Sequence, residues 1–71
     1  MVATMITYRV IYERDEDGWW VADVPEVVGC HTQGRTIEQA RTRILDALSL
    51  YVVEGTEPLL SEEVRQPESA A

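Results

Sequence analysis

Between Thr4 and Val24 the chain carries the pattern that most narrows what it can fold into: an alternating apolar run, an acidic stretch ending in Asp17-Gly18, and a second alternating run. In the first run Ile6, Tyr8, Val10 and Tyr12 fall on one side, and Met5, Thr7, Arg9, Ile11 and Glu13 on the other. Successive strand residues point to opposite faces, so this spacing, with its β-branched and aromatic residues, predicts a strand from Thr4 to Arg14. Asp-Gly between two such runs is a strong hairpin signal, because glycine supplies the backbone angles a tight turn needs. Trp19 to Val24 then forms the returning strand. Pro25 closes it, since proline has no N–H to give to a ladder.

A third strand is expected from Cys30 to Gln33, ahead of Gly34. Thr36 and Gln39 have the three-residue spacing of a capping box, which places the start of a helix there. The helix is predicted to run to about Glu54, with Gly55 as its left-handed cap. On a wheel of about 100° per residue, Ile37, Ala40, Ile44, Ala47, Leu48 and Tyr51 form one apolar stripe, with Leu45 and Val52 at its edge. Arg41 falls inside that stripe, where an arginine can lay its stem on the sheet edge and send its guanidinium to water or to an acid; the alternative is a bridge to a partner's carboxylate. Leu50 and Val53 fall on the far side, apolar where solvent is expected.

The helix can cover only one face of the sheet. Trp20, Ala22 and Val24 are assigned to that inner face with Ile6, Tyr8, Val10, Tyr12, Cys30 and Thr32, because the opposite assignment would bury Asp23. The outer face then carries Met5, Thr7, Arg9, Ile11, Trp19, Val21, Asp23, His31 and Gln33. It is half apolar, and Met and aromatic residues are enriched in interface cores. Met5, Ile11, Trp19 and Val21, with Leu50 and Val53 on the helix, are therefore the candidate partner or oligomer interface. The alternative for Trp19 is that it merely lies over the charged turn.

Seventy-one residues suit one domain that buries a modest share of its surface. Cys30 is alone, so no disulfide can staple the fold, and a homo-oligomer, dimer or tetramer, is expected. Thirteen acidic residues against six basic ones, all arginine, give a net charge of -7. This sign opposes direct nucleic-acid binding, which relies on cations displacing counterions, and suits a basic protein partner. The lone cysteine and the lack of a leader pattern point to the cytoplasm, and no apolar run approaches a membrane span. Residues 1–60 are read as the domain and residues 61–71 as a polar, partly disordered tail.

Cys30 and His31 are adjacent, and strand neighbours point to opposite faces, so they cannot share a proton or a metal. No second Cys or His completes a site. Asp15, Glu16 and Asp17 lack the spacing and the distal glutamate of a calcium loop. Gly29 and Gly34 do not form a phosphate-binding fingerprint. No catalytic residue, cofactor or metal is expected.

The stretch from Tyr8 to Val52 as a whole, with Pro25, Gly29-Cys30, Thr32, Gly34, Thr36 and Ala40 in sequence, resembles the HicB-like antitoxins of bacterial toxin-antitoxin pairs. The resemblance implies a cut-down ribonuclease H-like fold without its active site. It also implies oligomerisation and a partner: a small basic HicA-like toxin that cleaves messenger RNA with a histidine and is occluded by the antitoxin. Two-metal nuclease chemistry needs several converging carboxylates, and the first strand has no interior Asp or Glu. Family members usually add a DNA-binding segment after the helix; here only Leu59 to Ala71 follows it, so direct DNA binding is not expected.

The expected fold is α+β: a three-stranded antiparallel sheet, with at most a short fourth strand from Ser61 to Gln66, and one helix packed on one face. The expected function is inhibition of a small basic RNA-cleaving toxin. The alternative is a non-catalytic oligomeric ligand-binding or structural module of the same fold with no toxin.

Overall fold

The computed structural model describes residues 4–65. Strands β1 (Thr4–Arg14), β2 (Trp20–Asp23) and β3 (His31–Gly34) precede helix α1 (Ile37–Ser49), and strand β4 (Thr56–Arg65) follows it. The sheet order is β3-β2-β1-β4, with β1–β2 and β2–β3 antiparallel and β1–β4 parallel. Among the described residues no helix is long and apolar enough to cross a membrane.

The hairpin forms where the acidic turn predicted it. Asp15 Oδ1 accepts from the backbone N–H of Asp17 at 2.9 Å and of Trp19 at 2.8 Å, and Gly18 takes φ 85°. The Asp15 N–H donates to the Trp19 carbonyl at 2.8 Å and closes the loop. A short carboxylate bonding its own backbone is what makes aspartate a turn former.

Helix α1 starts at its expected cap: the Thr36 hydroxyl accepts from the Gln39 N–H at 3.1 Å. The Gln39 side chain reaches one residue further back than in the usual box, accepting from Arg35 N–H at 2.7 Å. The helix ends five residues earlier than Glu54, at Ser49, with Leu50 as its cap. Tyr51, Val52 and Val53 are aromatic or β-branched and extend a helix poorly. Gly55, at φ 90°, is therefore not the helix cap; it serves the turn in which Thr56 N–H bonds the Val53 carbonyl.

The core lies between α1 and one face of the sheet. It contains Tyr8, Val10, Tyr12, Ala22, Val24, Cys30, Ala40, Ile44 and Leu48, with Ile6, Trp20 and Ile37 half-buried around it. The face assignment thus holds for β1, β2 and Cys30. Gly34 sits so close to α1 that a Cβ there would stand 2.7 Å from the Ala40 nitrogen.

The expectation for the C-terminal region is corrected. The fourth strand is ten residues long, pairs with β1 from Thr4↔Thr56 to Glu13↔Arg65, and absorbs residues 61–65 of the expected tail. Residues 66–71 lie outside the described chain. Proline and three glutamates are poor strand formers, and pairing with β1 overrides that preference. Two bonds define how β4 sits. Asp15 N–H to Trp19, and Arg9 N–H to Glu26 Oε1 at 2.9 Å, turn the odd-numbered backbone groups of β1 toward β2. The even-numbered ones then face β4, and in a parallel ladder they are answered by the odd-numbered residues of β4. Pro58 thus turns its missing N–H to the open edge of the sheet, where it costs β1 no hydrogen bond.

Gly34→Ala is expected to lower unfolding free energy by about 2 kcal/mol through overpacking against backbone. Urea denaturation measures this, and an unchanged midpoint would contradict the close approach.

Candidate protein-binding surface

Among the described residues no helix covers the outer face of the sheet. Its floor near the hairpin is built by Ile11 and Val21, which β1 and β2 place on the same side two positions apart across the ladder, since Ile11 pairs with Asp23 and Glu13 with Val21. Around them stand Glu13, Asp15 and Asp23, with Arg14 at the rim, enclosing a hollow of about 220 Å³. His31, cross-strand from Asp23, is exposed beside it. The result is an apolar floor ringed by carboxylates.

The six residues expected to form an interface are not one patch. Ile11 is only 8% exposed even with no helix above it, so it is a floor rather than the protruding apolar residue expected. Its neighbours on this face by register, Arg9, Glu13, Asp23 and Glu63, are all polar side chains. Val21 is half-buried beside it. Trp19 is half-buried too, with the Arg35 guanidinium 4.7 Å from its ring centre. Its ring therefore lies against Arg35, in the connection that leads into α1. Met5, 61% exposed, and Val53, also 61%, lie at the far end of the sheet, where Thr4 pairs with Thr56. Leu50, 84% exposed, caps the helix and faces solvent.

One polar cluster was only half legible in the sequence. On the inner side, Tyr12 Oη donates to Glu62 Oε1 at 2.7 Å, and Arg41 Nε donates to the same oxygen at 2.7 Å. Arg41 was expected to find water or an acid; the acid is Glu62, from a strand the composition hid. Burial, reinforced by Glu62, pushes the Tyr12 hydroxyl well above the usual phenol range. The Tyr12 and Arg41 hydrogen bonds hold the Glu62 carboxyl below its ordinary value. On the opposite face Arg9 binds Glu26 at 2.6 Å, and its backbone N–H and guanidinium lower the Glu26 carboxyl likewise.

Cys30 is buried and His31 exposed, on opposite faces as expected. Burial, and then Asp23, raises the thiol above its ordinary value, which keeps it protonated and a poor nucleophile.

A protein of Synechocystis named only as a UPF0150 protein is 38% identical over 60 residues, covering 84% of this chain and 71% of its own. The chain belongs to the UPF0150 family. Other UPF0150 proteins match over a shorter stretch: one from Thermoplasma acidophilum is 44% identical over 45 residues and one from Archaeoglobus fulgidus 38% over 45. The chain spans just under two thirds, 65%, of the length of these two archaeal relatives. No family model and no solved structure matches this UPF0150 chain.

Tyr12→Phe removes a buried donor and is expected to cost about 1 kcal/mol. Because the folded-state pKa of Glu62 lies below its unfolded value, its contribution is complete above the ordinary glutamate range, near pH ~4.3, and is lost as pH falls through the lower folded value. Unfolding free energy measured against pH should therefore fall less steeply on the acid side in Tyr12→Phe than in the wild type. Parallel acid limbs would refute the coupling.

Proposed function

We propose that this UPF0150 chain is a HicB-like antitoxin: a non-catalytic cytoplasmic protein that binds a small basic RNA-cleaving toxin and occludes it. The observation that carries this reading is the hollow on the helix-free face, with Ile11 and Val21 as its floor and Glu13, Asp15 and Asp23 around it. Lysine and arginine have apolar stems and cationic heads, so a basic partner's side chain finds both of its needs met in such a hollow. The net charge of -7 acts at longer range, steering a cationic protein toward the chain. The family-level resemblance in residues 8–52 supports the same partner class, and the protonated, buried Cys30 thiol fits a binding role better than a catalytic one.

The test is titration of the purified chain with a HicA-like toxin, followed by calorimetry and by RNA cleavage. Stoichiometric loss of cleavage is expected. Reversing two rim charges, Glu13→Arg with Asp23→Arg, should weaken binding at least ~10-fold, about 1.4 kcal/mol, and make association less salt-sensitive. Cleavage that persists at excess antitoxin, or affinity indifferent to both reversals, would sink the proposal.

A further inference from the structure

Strand β4 is an edge of the sheet along ten residues, and its even-numbered backbone groups face away from β1. The N–H groups of Leu60, Glu62 and Val64 and the carbonyls of Pro58, Leu60, Glu62 and Val64 point away from β1, while Thr56 N–H is already engaged by Val53. Helix α1 packs over the other side of the sheet and leaves the inner side chains of β4 open: Leu60 is 41% exposed and Val64 48%. A long edge with unpaired backbone groups is a template for another strand, and the glutamates and proline along it narrow which strand can dock.

We propose that the edge of β4 is a docking surface for a second copy of this chain, pairing antiparallel about a two-fold axis at Ser61. Three requirements select this arrangement. Outer-face side chains must meet outer-face side chains, which forbids any shift by a single residue. With Ser61 opposite itself, Glu57 faces Arg65 of the second copy and Arg65 faces its Glu57, so the Arg65 guanidinium, which bonds Glu63 of its own strand, also meets a carboxylate across the seam on the outer face. Pro58 then faces Val64, Leu59 faces Glu63 and Leu60 faces Glu62, with no like charges directly opposed. Moving the axis to Leu60 sets Glu57 against Glu63, and moving it to Glu62 sets that residue against itself. The remaining close approaches of like charge are diagonal: Glu62 to its own copy, whose carboxylates Arg41 and Tyr12 hold, and Glu63, bonded by Arg65 of its own strand, to Glu57 of the second copy.

The same register satisfies the open donors. Leu60 N–H reaches the Glu62 carbonyl of the second copy, Glu62 N–H reaches its Leu60 carbonyl, and Val64 N–H reaches its Pro58 carbonyl. Pro58 has no N–H to leave unpaired. The product is a continuous eight-stranded sheet with both helices on one side and both acidic hollows on the other, so docking here leaves the proposed toxin-binding face free.

Cysteine scanning of the full chain tests surface and register together. Ser61 becomes a non-hydrogen-bonded pair with its own copy, with Cα atoms about 4.5 Å apart, inside the range a disulfide spans. Ser61→Cys is expected to oxidise to a covalent dimer of twice 8.1 kDa far faster than Leu60→Cys or Glu62→Cys, and buried Cys30 does not compete. In unmodified protein, sedimentation should show the dimer. Leu60→Pro, which removes an open-edge N–H as Pro58 does, should give a folded monomer by circular dichroism. Arg65→Glu should dissociate the dimer, and adding Glu57→Arg should restore it. A wild-type monomer, fastest crosslinking at Leu60 or Glu62, or a folded Leu60→Pro protein that stays dimeric would each overturn the proposal. None of these readouts involves a toxin, so they stand apart from the test of inhibition.

Discussion

Among the described residues, the structure depends on β1 being paired along both edges while a helix covers one of its faces. Ten pairs to β4 and four to β2 make it the axis of the sheet, and Tyr8, Val10 and Tyr12 send its inner side chains into the core. Because α1 lies toward β3, the covering of that inner face is uneven, and β4 receives little of it. The Tyr12–Glu62–Arg41 cluster bridges the shortfall, tying β4 to both β1 and the helix through one carboxylate oxygen. A polar clamp appears where apolar burial runs out.

How much of this was legible depended on whether the signal was local. The hairpin was readable because Asp15, Gly18 and the alternating runs state turn and strands within about twenty residues. The start of α1 was readable because Thr36 and Gln39 are three residues apart. The inner face followed from where Asp23 could not go. β4 was not readable: Glu57, Pro58, Glu62 and Glu63 describe an exposed edge, and only the presence of β1 fifty-two positions earlier makes that stretch a strand. Ile11 was placed on the correct face and misjudged in exposure, since alternation gives direction but not the height of neighbouring polar side chains. The acidic hollow combines Glu13, Asp15 and Asp23 across a turn, a grouping that register creates and linear spacing conceals.

Charge is distributed with the same unevenness. The arginines are largely engaged: Arg9 on Glu26, Arg41 on Glu62, Arg65 on Glu63, Arg14 beside Trp20 and Arg35 over Trp19. Among the described residues, the charge outside these contacts is mostly carboxylate, and part of it is gathered around Ile11 and Val21. A net negative chain thereby becomes one with a local negative recess.

The parallel pairing of β1 with β4 also sets an order of assembly. Hairpin and helix are made of contacts close in sequence, whereas Thr4↔Thr56 and its neighbours require a loop of about fifty residues to close before they repay the entropy spent. During synthesis β1 waits, one flank bare, until residue 65 has left the ribosome, with Met5, Ile11 and Tyr12 deprived of their neighbours on that side. Other growing chains of the same protein are then the nearest available company.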